Sequence, residues 1–458
     1  MAKQSRRQFL KTSLARAAGI TTAASLGLHL GLGKRVLAQS SSRFSDNKAL
    51  VCVFLFGGCD SYNLLVPTQA GDYQTYKGVR QNLAYSPDQV RGISPNSTSP
   101  YSVGMPTAAS ALAQLFDEKK LSLVANIGPM TQPVTKAMIK NQPSLLPPQL
   151  FSHNDQQGLW QSGLGYTGSS TGWGGRMADL IADTSDPLSM NLSINGNNLM
   201  QAGTIIQPFS VDASGPEQMA ALDPTKDWNA RRIDVFSRLL EDVQHPFERA
   251  YASKLQSAAQ NNERLIQALS SVAPTEVSYN EDNNLAQQLK MVARLIASQQ
   301  ALGQPRQIYF VGMGGWDTHD NQSSVHPQLL QYLGHALQSF QQDIDARGLA
   351  QGVTTFTMSE FGRTLTSNGD GTDHGWGGHQ MVMGDAVKGG EIFGRLPSLA
   401  LNSNDDMGDG RMVPELSVEQ MGADLARWFG LSEPEINTIF MNLNRFDANA
   451  LSMFKTYV

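Results

Sequence analysis

Val353–Gly390, VTTFTMSEFGRTLTSNGDGTDHGWGGHQMVMGDAVKGG, is the stretch from which the rest of the chain can be read. Val353 to Met358 is β-branched and aromatic, the composition of a buried strand, so it should deliver Ser359, Glu360 and Arg363 just past its carboxyl end. The loop from Ser359 to His379 then sets Asp370, Asp373, His374 and His379 among six glycines. So few apolar side chains cannot order a loop by burial, which leaves its carboxylates and imidazoles as the reason for it. Ligands bind at the carboxyl ends of strands in an open α/β sheet, so this loop is the leading candidate site.

Two further strands end in the same way. Ala49 to Phe56 is a continuous apolar run, as expected of a strand covered on both faces, and Gly57-Gly58-Cys59-Asp60 follows it. A lone Asp in that position more often closes a turn through its side chain than binds a ligand. Gln307 to Met313 ends in Gly314-Gly315-Trp316-Asp317-Thr318-His319, where Asp317 and His319 could share one metal if the backbone turns there. Ala108–Lys119 has helical spacing and Leu121–Ile127 reads as the next strand, so alternation of helix and strand predicts a mostly parallel sheet between helices. Residues 72–101 read as a polar surface excursion and 184–225 as small strands and loops. Residues of about 226–300 carry long amphipathic helices, an insertion or cap, in which His245 is structural. His326 and His335, on a later helix with an apolar face, are also assigned to structure.

At 458 residues the chain is long enough for one large α/β domain with an accessory region, and its 42 glycines show no period, which excludes collagen-like and solenoid folds. Cys52 and Cys59 are the only cysteines; they lie too far apart along an extended strand to bridge and read as buried thiols. At the amino terminus, Ser5-Arg6-Arg7-Gln8-Phe9-Leu10-Lys11 matches the twin-arginine export motif, and a weakly apolar stretch and Val36-Leu37-Ala38 follow. Residues 1–38 are thus expected to be a removable signal, with 39–458 as the exported α/β domain, periplasmic or extracellular, and the twin-arginine translocase as its partner in transit. Removing them leaves 28 basic against 40 acidic residues, which excludes nucleic acid as a partner.

Gln149–Gly163, QLFSHNDQQGLWQSG, is the second polar cluster. Ser152 beside His153 is either an activated nucleophile or a helix cap, and on these residues alone the cap is the better reading. Arg176, in GWGGR, opens a helix whose free amides could hold an anion, or it is a surface residue.

FLFGGCDSYN, FSHNDQQGLWQSG, GGWDTHDNQ and SEFGRT followed by GTDHGWGG, in this order behind the twin-arginine motif, resemble the exported family called domain of unknown function 1501. That family is in turn similar to the alkaline phosphatase and sulfatase superfamily. The resemblance implies an alkaline phosphatase-like α/β fold and a hydrolytic centre holding one or two divalent ions of Zn, Mn, Mg or Ca. It implies Asp60, Asp317, His319, Glu360 and His374 as metal ligands and Ser152 as the nearest candidate nucleophile; on chemical grounds, Arg363 or Arg176 is expected to clamp the charge of an anionic ester of phosphate or sulfate. Phe361 departs from the pattern, standing where the superfamily has a histidine. Asp373-His374-Gly375 offers an alternative registration of the Asp-His-Gly triplet. A hydrolase is therefore expected, and a non-catalytic binding or assembly protein on the same scaffold is the alternative; no heme, iron–sulfur or flavin signature supports an oxidoreductase.

Overall fold

The computed structural model describes residues 43–96, 99–183, 186, 188–216, 226–241, 245–447 and 450–455. The expected export signal, residues 1–38, lies outside the described residues. No helix among them is long and apolar enough to cross a membrane.

In chain order the elements that build the centre are β1 (Lys48–Leu55), α1 (Ser110–Asp117), β2 (Leu121–Gly128), α2 (His153–Ser162), α3 (Trp173–Ile181), β3 (Asn191–Ser193) and β4 (Phe209–Ser210). They continue as α4 (Ala230–Glu241), α5 (Pro246–Ser270), α6 (Asn284–Ala297), β5 (Arg306–Met313), α7 (Gln322–Ala346), β6 (Val353–Met358), β7 (Gly378–Met383), β8 (Ile392–Phe393), β9 (Leu416–Ser417) and α8 (Val418–Phe429). One nine-stranded sheet runs β8-β2-β7-β6-β1-β5-β3-β4, with β9 also paired to β2. β1 lies between β5 and β6 and is parallel to both, from Lys48 opposite Arg306 to Leu55 opposite Met313.

β1 shows why its sequence is apolar throughout. Val51 and Val53 pack with Leu112 and Phe116 of α1, Leu289 and Val292 of α6, and Leu337 and Phe340 of α7. Leu50, Cys52 and Phe54, on the opposite face, pack with Trp173 and Met177 of α3 and Leu425 and Phe429 of α8. Successive strand residues point to opposite faces, so a sheet covered on both sides needs no polar alternation. Of the helical block near 226–300, α6 belongs to the layer on the first face. Cys52 and Cys59 are buried free thiols, as expected.

Two details differ from the sequence reading. β7 runs antiparallel to both β6 and β2 within an otherwise parallel arrangement. The loop before it holds no crossover helix, so the chain re-enters from the edge it left, and such a return is antiparallel. The stretch 72–101 is also more than a surface excursion: the helix Ala70–Arg80 buries Tyr76 and Arg80, one turn apart, beneath the strand ends. A polar composition hid that inward face, because its two buried residues carry hydrogen-bonding groups.

Candidate metal centre

Because β1, β5 and β6 are parallel neighbours, their carboxyl ends meet at one edge. The following turns pack so closely that side chains are excluded from the first. A Cβ at Gly57 would overlap the backbone nitrogen of Asp317, and one at Gly58 the ring of Phe361. Both glycines also have positive φ, 121° and 83°, where side chains are disfavoured. Ser359 ties the same turns together, its hydroxyl donating to the Leu55 carbonyl at 2.7 Å and accepting from the Cys59 amide at 2.9 Å.

Asp317, on the turn after β5, is the middle of a cluster of imidazoles. His153 Nε2 lies 3.3 Å from its Oδ2, while His319 Nε2 and His374 Nε2 lie 3.2 and 3.3 Å from its Oδ1. His319 Nε2 and His374 Nε2 face each other at 2.9 Å. Ligand atoms from His153, Asp317 and His374 all lie within 4.8 Å of one another. Neighbouring ligands around a tetrahedral ion with bonds of roughly 2.0–2.1 Å are about 3.3 Å apart, so the donor spacing fits a divalent ion.

The far side of each imidazole is also fixed. His153 Nδ1 is 2.9 Å from Glu360 Oε1, His319 Nδ1 is 3.2 Å from Asp373 Oδ1, and His374 Nδ1 is 2.8 Å from the Phe151 carbonyl. Carbonyl and carboxylate oxygens accept, so each Nδ1 donates to the oxygen behind it, and each ring is oriented with its Nε2 toward Asp317. Glu360 is fully buried and accepts also from the Gly57 amide at 2.8 Å and from Gln157 Nε2 at 3.0 Å. It orients His153 in this arrangement.

Electrostatics follow these contacts. The Glu360 carboxylate raises the His153 pKa above its ordinary value, overcoming partial burial. Burial lowers that of His374 despite the Phe151 carbonyl. Partial burial pushes the Asp317 carboxyl up, but Arg363, His153 and His319 together hold it below the usual carboxylate range.

Of the residues expected here from the sequence, Asp317, His319 and His374 come together, with Glu360 one contact behind. Asp373, from the alternative triplet, sits behind His319. Asp60 is placed elsewhere: it is fully buried and paired with Arg80 and Gln322. Arg363 is buried, with its donors on Asp317 Oδ1 at 2.7 Å, the Gly57 carbonyl at 3.1 Å and Thr372. Arg176 donates to the carbonyls of Thr171, Ser162 and Ile439. Phe361 forms a wall, its ring centroid 5.0 Å from that of His153 and 4.5 Å from that of His374.

Ser152 precedes α2, and its hydroxyl donates to Asp155 Oδ2 at 2.7 Å. No contact among the described residues joins that hydroxyl to the cluster. Ser152→Ala should therefore cost about 1 kcal/mol in chemical denaturation and leave bound metal unchanged. A drop in metal content would show instead that the hydroxyl supports the centre.

His153 was not anticipated in the cluster. As the first residue of α2 it looked like a partner for Ser152, and only the docking of that helix against β6 reveals its role. The available signal was its place inside a conspicuously polar cluster, Ser152-His153-Asn154-Asp155.

A family model described as "Protein of unknown function (DUF1501)" matches residues 47–433. The chain belongs to this family. No curated protein matches this DUF1501 chain. Solved structures similar to it include the PsFucS1 sulfatase from Pseudoalteromonas sp., 8% identical over 85% of this chain and 68% of that one, with a TM-score of 0.34. Another is the C-terminal periplasmic domain of EcEptC from Escherichia coli in complex with Zn, 10% identical over 85% and 84%, with a TM-score of 0.34. A mutant of the alkaline phosphatase PafA is 11% identical over 70% and 64%, with a TM-score of 0.29.

Proposed function

We propose that this DUF1501 chain is a metal-dependent hydrolase of phosphate or sulfate esters, exported by the twin-arginine route to act in the periplasm or outside the cell. One observation carries the metal assignment: ligand atoms of His153, Asp317 and His374 converge within 4.8 Å of one another, with His319 Nε2 also 3.2 Å from the Asp317 carboxylate. Nitrogen and oxygen donors gathered from separate turns in this way are what a divalent ion requires. Two converging imidazoles and one carboxylate, with a third imidazole adjoining, suit Zn better than Mg or Ca, which prefer all-oxygen sets. We assign one ion, because the Asp60 carboxylate already has Arg80 as its counter-charge.

When bound, a divalent ion supplies polarisation of a phosphoryl or sulfuryl oxygen and acidifies a hydroxyl or water. The chain's own residues do the rest. Glu360, Asp373 and the Phe151 carbonyl orient the imidazoles from their Nδ1 side, Arg363 holds Asp317 in place, and Phe361 packs against the rings of His153 and His374. The Asp317 side chain is 44% exposed, so an ester in solvent can reach the centre.

The second reading, a binding or assembly protein on a hydrolase-like scaffold, is favoured by the Ser152 hydroxyl resting on Asp155 and by two arginines whose guanidinium groups are held by the protein's own oxygens. Purified protein loaded in turn with Zn, Mn, Mg and Ca should be assayed on aryl phosphates and aryl sulfates, with metal counted per chain. We expect about one Zn and a turnover abolished by chelator. Bound Zn without turnover on either ester would favour the second reading, and no bound metal would overturn the centre.

A further inference from the structure

Against the backbone of His374 lies an arginine whose donors are not all committed. Arg411 sits on the tight turn closed by the Asp406–Met412 bridge, where the Met407 amide donates to the Arg411 carbonyl at 3.0 Å and the Arg411 amide to the Gly408 carbonyl at 3.0 Å. Its Nε donates to the backbone carbonyl of His374 at 3.3 Å, and its guanidinium carbon lies 5.1 Å from the ring centroid of Phe151. Phe151 in turn is the residue whose carbonyl receives His374 Nδ1. Arg411 thus touches one candidate ligand, His374, and the residue that holds its Nδ1, Phe151.

Arg363 and Arg176 spend their guanidinium groups inside the protein. Arg411 has its side chain 25% exposed, and its Nη2 donates to nothing among the described residues. Its Nη1 binds Asp409 Oδ2 at 2.6 Å, but that carboxylate is 74% exposed and well screened. A guanidinium has five N–H donors, so it can serve Asp409 and a second anion together. Beside it, Phe151 leaves 43% of its surface in solvent, an uncommon exposure for a large apolar ring.

We propose that Arg411 is the anion-positioning and specificity residue of the centre, and that Phe151 carries the ring of an aryl or sugar ester whose phosphate or sulfate Arg411 receives. This rests on the hydrolase reading above and assigns that site's substrate contacts.

The test is calorimetric titration of Zn-loaded protein with inorganic phosphate and with phenylphosphonate, a non-hydrolysable aryl anion, in parallel with metal content. Arg411→Ala should weaken both anions about 10- to 100-fold while metal content stays at the wild-type level. Arg411→Lys should restore part of the loss, since charge returns without the planar fork. Asp409→Asn, which keeps a residue tolerant of the positive φ of 55° found there, should tighten phosphate by removing a competitor. A purely structural Arg411 gives no such gain. Phe151→Ala should weaken phenylphosphonate and leave phosphate unchanged. Equal phosphate binding in wild type and Arg411→Ala, with Zn retained in both, overturns this assignment alone. Wild-type protein that holds Zn but binds neither anion overturns it together with the ester reading, and absence of bound Zn traces the failure to the centre itself.

Discussion

Asp317→Asn should abolish stoichiometric metal binding while leaving the metal-free fold nearly as stable as wild type. Asp317 is the one residue that touches all three imidazoles, so its charge is the common counterpart of any ion they hold. Losing a direct ligand should exceed the roughly 10- to 100-fold loss that follows removal of a group orienting a ligand. The amide still accepts from Arg363, whose buried guanidinium would otherwise lose its partner. Asp317→Ala should therefore lose metal and, in addition, apo-protein stability, because an unpaired buried charge is costly. In wild type, Zn at a hundredfold excess over Kd should stabilise the fold by about 2.7 kcal/mol, and that increment should vanish in both variants. Thermal unfolding with and without Zn, read beside metal analysis, makes the measurement. A Zn-dependent melting shift that persists in Asp317→Asn would falsify the assignment of Asp317 as ligand.

The second large effect concerns acid. His326 and His379 are fully buried away from the metal cluster, and burial lowers the pKa of each to about 4. His379 Nδ1 accepts the Asn126 amide at 3.0 Å, which is possible only with that nitrogen unprotonated. The unfolded chain binds these protons near pH 6.5, whereas the native state resists them until about pH 4. Over that window the unfolded state holds more protons, so stability rises with pH. The contribution is complete above about pH 6.5 and lost as pH falls toward 4, by roughly 3 kcal/mol for each histidine. Carboxylates act lower: Glu435, paired with Arg43 and pulled down to about 2, contributes stability above its ordinary value and loses it only as pH falls toward 2. Urea unfolding of chelator-treated protein at pH 7, 5.5 and 4 tests this without interference from metal loss. His379→Asn keeps an acceptor for the Asn126 amide and should flatten the slope; an unchanged slope would show that His379 does not supply it.

Much of this was legible in the sequence because strand ends carry a local signature. Apolar runs fixed β1, β2, β5 and β6 to within about a residue at each end, and the glycines after β1 and β5 announced that backbones approach closely there. Asp317, His319 and His374 followed from those ends. Less legible was anything depending on which distant segments meet. Asp60 looks like a ligand from its position, yet its counter-charge comes from Arg80, at the end of a helix whose polar sequence concealed an inward face. His153 looked like a neighbour of Ser152, but the rotation of α2 turns it to Glu360 and Asp317 while the serine meets Asp155. Arg363 sits at a strand end as expected, but its guanidinium is consumed by loop carbonyls and by Asp317. Which partner a charged side chain finds is set by tertiary docking, and no local pattern encodes it.

The segments that meet at Asp317 are far apart along the chain, with His153 and its carboxylate partner Glu360 separated by 207 positions. An ion bound there would act as a cross-link, joining the start of one helix to the turn after β5 and the loop before β7. Closing a loop of that length costs an unfolded polymer several kcal/mol of chain entropy, growing only slowly with further length. An ion that remains attached while the chain tries to open keeps this loop closed and makes the expanded states less numerous. The same few atoms that prepare the chemistry would then also set how far the protein can come apart in one step while the ion stays bound.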